Sequence, residues 1–151
     1  MAPQTHLNWI AIVVAVLASW IVGGLWYGPI FGKPWKKEMG VPPDAKPAGS
    51  DMAKALGLNL FGTFLTAFVL AHDVLGWRPW LAPSPWSAGA PPGPAVYGFF
   101  AGFLAWLGFM VPVLLNGVAF EKRSWRLFFI NAGFQFVSLQ IIAMILAFWR
   151  R

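Results

Sequence analysis

Few side chains in this chain are suited to chemistry. It contains no cysteine, which removes disulfides, thiolate catalysis and Cys-ligated metals. Two histidines, His6 and His72, are too few for a self-contained His-rich metal site, so no metal is expected. His72 stands beside Asp73. An imidazole there could handle protons, since it titrates near neutral pH, or offer a nitrogen to a metal or a haem-type pigment. The plainer reading is a helix end, where the protonated ring is favoured by the helix dipole. His72 is therefore only a weak cofactor candidate, and no cofactor is expected. A Ser–His pair would have to borrow Ser19 or Ser138, and nothing in their spacing supports one. No catalytic residue is assigned, and the chain is not expected to be an enzyme.

Two polar stripes are the better candidates. Asn59, Thr63 and Thr66 recur as Asn131, Gln135 and Ser138 at a constant offset of 72. Each set stands at i, i+4 and i+7, which is one face of a helix. Such residues turn inward in lipid and hydrogen-bond across helices. They would either line a polar path or ligand site, or hold the helices together. Bonds of this kind average about 0.6 kcal/mol, so several are needed to fix a bundle. The second reading is the plainer one. No Lys, Arg, Asp or Glu lies in mid-span, which counts against ion-coupled pumping.

These stripes need helices in lipid, and the composition supplies them. Of 151 residues 58% are apolar and 11% charged, against about a quarter charged in soluble domains. The charges are also clustered. Met1 to Gly32, Ala55 to His72, Pro79 to Phe120 and Leu127 to Trp149 contain none. Runs of roughly 18 or more apolar residues read as transmembrane helices. This excludes a soluble enzyme, a nucleic-acid-binding domain and a disordered tail. The net charge of +6 sits in short loops beside the spans, so it is not a nucleic-acid signal.

The expected fold is all-α: one transmembrane domain over 1–151, a four-helix bundle with spans near 7–28, 52–75, 95–115 and 125–149. The first span ends at Gly28-Pro29, a helix stop, and Asp51 is a candidate N-cap of the second. The stretch 77–94, dense in Pro and Trp, cannot be a regular helix and is read as a loop at the membrane surface, whose aromatic density suits a lid, a docking surface for another membrane protein, or plain contact with lipid headgroups. The N-terminus lacks a basic n-region and a cleavage site, so its apolar stretch is expected to be a retained span. Lys33, Lys36, Lys37, Lys46 and Lys54 follow the first span, and Lys122, Arg123 and Arg126 the third. Arg78, Arg150 and Arg151 lie on the other face. That imbalance places both basic loops in the cytoplasm, beside anionic lipid headgroups, and both termini outside. Trp9, Trp77, Trp80, Trp86 and Trp149 then mark the outer edge, Trp35 and Trp125 the inner one.

Small residues form packing stripes: Ala11, Ala15, Ser19 and Gly23 on the first span, Gly98 and Gly102 on the third. They allow close helix approach within the chain or between copies. The recurrent stripe, with prolines near the ends of the first and third spans, points to two helical hairpins in parallel repeat. The alternative is chance similarity between apolar helices.

Several strings resemble one family. They are Asn8-Trp9, then Gly24-Leu-Trp-Tyr-Gly-Pro-Ile-Phe-Gly-Lys-Pro-Trp, then Gly108-Phe-Met-Val-Pro, then Phe120-Glu-Lys-Arg-Ser-Trp-Arg-Leu-Phe-Phe-Ile-Asn-Ala-Gly. Together they resemble a prokaryotic membrane family catalogued as domain of unknown function (DUF) 1761, over nearly the whole chain. The long Pro/Trp loop is the main departure. The resemblance implies a multi-pass protein of the bacterial inner membrane and carries no activity. Its matching positions include Trp26, Tyr27, Gly28, Pro29, Phe31, Gly32, Lys33, Trp35, Pro112, Glu121, Trp125 and Asn131. Several cluster at the cytoplasmic ends of the first and third spans. A Glu121 carboxylate near Lys33 would lock the two inner loops together, and Glu121→Gln would then lower thermal stability.

The functional expectation is a structural or accessory membrane subunit, acting as a homo-oligomer or within a larger complex, its partners the lipid bilayer and other membrane proteins, not nucleic acid. The alternatives are a pore or carrier lined by the two stripes and, more weakly, a His72-dependent pigment or haem binder.

Overall fold

The computed structural model describes residues 7–42, 44–45, 49–76 and 93–149. Residues 77–92 of the Pro/Trp loop, His6, Lys46, Arg150 and Arg151 lie outside them, while Gly93 and Pro94, expected in that loop, are the cap and first residue of a helix. Every regular element among the described residues is helical. Four stretches are long and apolar enough to cross a membrane: Trp9–Ile30, Gly49–Val74, Pro94–Ala119 and Trp125–Phe148. The architecture is a transmembrane four-helix bundle.

The first stretch is α1 (Trp9–Leu25) followed by a π-helical turn, Trp26–Ile30. Asn8 caps α1: its side-chain oxygen accepts the Ala11 amide at 3.0 Å. The chain does not stop at Gly28-Pro29 as expected. Pro29 lies inside the π turn, closed by the Phe31 amide donating to the Trp26 carbonyl at 2.8 Å. A π turn shifts the bonding register by one residue and so tolerates a proline, which has no amide to donate. A short helix, α2 (Gly32–Glu38), follows at once. Gly32 is required at this junction, because a Cβ there would stand 2.6 Å from the Tyr27 carbonyl oxygen. Gly40, at φ +66°, ends α2: its amide and that of Val41 donate to Lys37 and Lys36 carbonyls.

The second span is α3 (Gly49–Gly76). Asp51 falls inside its first turn rather than at the cap. The third span is α4 (Pro94–Ala105), a second π turn (Trp106–Met110) and α5 (Val111–Ala119). Pro112 stands in the first turn of α5, just past the π turn, so the helix runs on past the expected end at Leu115. The last span is α6 (Trp125–Phe148), capped by Ser124, whose hydroxyl accepts the Leu127 amide at 3.1 Å.

α6 is the hub: it packs against α1, α3, α4 and α5 and carries the longest run of buried residues. The small-residue stripes are what let its neighbours approach. Ala11, Ala15 and Ser19 of α1 are buried, and Gly23 abuts the Phe134 ring. On α4, a Cβ on Gly98 would stand 2.9 Å from the Ala147 Cβ, and one on Gly102 would stand 3.0 Å from the Leu139 carbonyl oxygen. The facing Ala143 and Ala147 are themselves almost wholly buried, so the α4–α6 seam is small against small. Ala67, Leu70, Ala71 and Val74 of α3 complete the core with Ile12, Val16 and Ile142. The bundle's outer surface is apolar, with Ile10, Leu58, Phe109 and Phe129 among its most exposed side chains, as lipid contact demands.

Gly102→Val should lower the melting temperature in detergent, since overpacking a tight seam costs about 1–3 kcal/mol. Gly24→Ala, where a Cβ meets nothing within 4 Å, should leave it unchanged or raise it slightly. Equal effects of the two would contradict the seam.

Candidate functional site

Trp26 and Tyr27 of the family motif converge with Trp106 on one turn of α6. Three successive residues there each receive a hydrogen bond from an aromatic side chain. The Trp26 indole N–H donates to the Ile130 carbonyl at 3.1 Å. The Tyr27 hydroxyl donates to Asn131 Oδ1 at 3.0 Å. The Trp106 indole N–H donates to the Ala132 carbonyl at 2.8 Å. Trp26 and Trp106 each open a π turn. The carbonyls that they reach have a second lone pair beyond the helix ladder, so α6 keeps its own bonds.

Rings fill the space around this clasp. Trp26 packs on Phe31 and Phe134, with centroids 4.6 and 6.4 Å away. Tyr27 meets Trp35 and Phe134 edge to face at 5.5 and 5.0 Å. Trp106 meets Phe136 at 5.2 Å. Gly133 admits the Trp26 ring, because a Cβ there would stand 3.1 Å from it. Gly28 has open space around it, so its place in the motif is not steric.

The polar stripes have different fates. On α6, Asn131 is held by Tyr27, and Ser138 shares a 2.6 Å hydrogen bond with Ser19 of α1, both buried. Gln135 is half-buried and makes no hydrogen bond among the described residues. On α3, the Thr63 and Thr66 hydroxyls donate to carbonyls of their own helix, those of Asn59 and Gly62, at 2.9 and 3.1 Å. Asn59 is exposed. The six residues are not brought together. His72 is also bound to its own helix, with Nδ1 2.8 Å from the Phe68 carbonyl and its ring edge-on to Phe68. Among the described residues no group of three or more His, Asp or Glu is placed to hold a metal.

The expected Glu121–Lys33 lock is corrected. Glu121 pairs with Arg123, two residues on, at 2.6 Å. The turn after α5 reverses tightly, with Lys122 at φ +55° and the Arg123 amide donating back to Gly117, so Glu121 closes its own loop. The carboxylate that ties the two loops is Glu38 at the end of α2. It accepts the Ser124 hydroxyl at 2.5 Å and stands 3.7 Å from Arg126. Trp125 packs on Phe128 and Phe129 and does not join the clasp.

α3 and α4 are tied together near the end where α3 finishes and α4 begins. There the Tyr97 hydroxyl donates to the Val74 carbonyl. Below that contact they diverge around a groove of about 990 Å³. Leu65, Val69, Val96, Phe100, Leu104 and Phe109 are among its walls, and Thr66, Asp73 and Tyr97 are its polar members.

Sequence alone picks out Trp26 without its bond to α6, and does not pick out Trp106, Glu38 or the π turns. One signal was present: Trp26-Tyr-Gly28 and Trp106-Leu-Gly108 repeat a Trp-x-Gly spacing in the first and third spans.

Tyr27→Phe leaves the Asn131 amide without its donor. In a double-mutant cycle with Asn131→Leu, unfolding in detergent should show a coupling of roughly 0.6 to 1.7 kcal/mol. Glu38→Gln should lower the melting temperature, whereas Glu121→Gln should not, its pair being half-exposed and local. Additive effects in the cycle, or the reverse order of the two glutamates, would refute these assignments.

The family model described as "Protein of unknown function (DUF1761)" matches residues 10–147. No curated protein and no solved structure matches the chain. The chain belongs to the DUF1761 family.

Proposed function

We propose that this member of the DUF1761 family is a non-catalytic assembly subunit of the bacterial inner membrane. It associates with other chains in the plane of the bilayer. Both basic loops face the cytoplasm in this reading, and both termini face outward, following the Lys and Arg imbalance.

One observation carries the proposal. Four of the six polar side chains that would line a solute path, Asn131, Ser138, Thr63 and Thr66, are bonded to other helices or to their own backbone, whereas the concave surface left open is overwhelmingly apolar. A solute path needs donors and acceptors along its wall. An association surface in lipid needs shape, small residues and a few well-placed polar groups. The groove and the exposed half of α3 fit the second description.

Native mass spectrometry of the protein extracted with its own lipids tests this reading. Discrete multiples of the 16.6 kDa chain, or a fixed ratio to a second protein, are the expected result. A bare monomer at all concentrations would overturn it. Proteoliposomes should release small solutes no faster than empty vesicles; a flux abolished by Asn131→Ala with Gln135→Ala would replace assembly with a pore.

A further inference from the structure

We propose that the half of α3 nearest α2 is the contact surface between two copies of this chain, with the Asn59 amide at its centre. The inference rests on the assembly reading and names its surface and partner.

Every residue from Gly49 to Gly62 is exposed, while Ala67, Leu70, Ala71 and Val74 further along the same helix are buried. The isolated half is not merely apolar. Asn59 lies about 15 Å along the helix from Gly49, within a 26-residue stretch long enough to cross the bilayer. Its side-chain amide makes no hydrogen bond among the described residues. A carboxamide facing hydrocarbon leaves two donors and an acceptor unpaired, which is costly and drives helices together.

The fold satisfies the matching residue of the other hairpin internally. Asn131, 72 residues later, is held by Tyr27 of the first Trp-x-Gly turn. In the second Trp-x-Gly turn the position of Tyr27 is taken by Leu107, which has no donor. The intrachain solution is therefore closed to Asn59.

A second copy supplies the missing partner. An amide both donates and accepts, so two Asn59 side chains related by a two-fold axis along the membrane normal satisfy each other reciprocally. Their surroundings permit the approach. Ala55, Gly62 and Thr66 share the face of Asn59 at i−4, i+3 and i+7, and a Cβ on Gly62 would meet nothing within 4 Å. Thr66 also lines the groove between α3 and α4, so this face runs into that opening. Leu60 and Phe61 lie on the far side of the helix from it, by the helical repeat.

The absence of native cysteine makes the test direct. Single cysteines are placed at Ala55, Leu60, Phe61 and Gly62 in the full chain, and native membranes are oxidised. A disulfide forms only where Cα atoms come within about 7 Å. Ala55→Cys and Gly62→Cys should give cross-linked dimer in several-fold excess over Leu60→Cys and Phe61→Cys. Adding Asn59→Leu to Gly62→Cys should weaken dimerisation roughly three- to fifteen-fold, and Asn59→Gln should restore much of it. The melting profile of Asn59→Leu in detergent monomers should be unchanged, since Asn59 makes no intrachain side-chain bond. Equal cross-linking at all four positions, or none, overturns the surface, as does indifference to Asn59→Leu. Homo-oligomers in native mass spectrometry with a flat cysteine profile would refute this surface but not assembly. A fixed ratio to a different protein would refute the second copy, and a monomer would refute both.

Discussion

The bundle depends on a single turn of α6. Residues 130 to 132 are gripped by Trp26, Tyr27 and Trp106, which come from the first and third spans. In lipid, helices gain little from apolar burial against one another, because the surrounding chains are equally apolar. Directional bonds and close packing must then set register. The clasp supplies the bonds, and Gly23, Gly98, Gly102 and Gly133 supply the room. Moving α6 by one residue would unseat all three donors at once and drive those glycines against larger side chains.

The π turns make this geometry possible. Both begin at the tryptophan that donates to α6, and each inserts one residue into the bonding pattern. Helix bonding beyond each turn therefore restarts on a rotated face. In the first span the rotation leads into α2 and brings Glu38 to Ser124 and Arg126. In the third it leads into α5, which reaches the Glu121–Arg123 turn. The same local device thus sets both connections at one end of the molecule.

Much of this was legible in the sequence and part was not. Charge-free runs locate the four spans because lipid excludes charge over a fixed thickness. The stripes at Ala11 to Gly23 and at Gly98 and Gly102 announce close packing, but a small side chain does not say what lies against it; here it is α6. The π turns leave no compositional mark, since an i to i+5 bond is a property of backbone register. Glu121 and Glu38 look alike as isolated acids beside basic loops, and only the tight reversal at Lys122 decides that Glu121 turns inward on its own loop. Asn59 and Asn131 are equivalent as residues, and what sets Asn131 apart is Tyr27, which lies on another span.

The hub helix follows the other three spans in the chain, so it leaves the ribosome after them. A ribosome adding about 5–20 residues per second needs on the order of ten seconds to travel from the end of α1 to the end of α6. Throughout that interval Ser19, Trp26 and Tyr27 sit in the bilayer without the partners that they hold in the finished protein. The nascent chain is thus marked as incomplete by its own unpaired polar groups. Arrival of α6 satisfies those groups in one step.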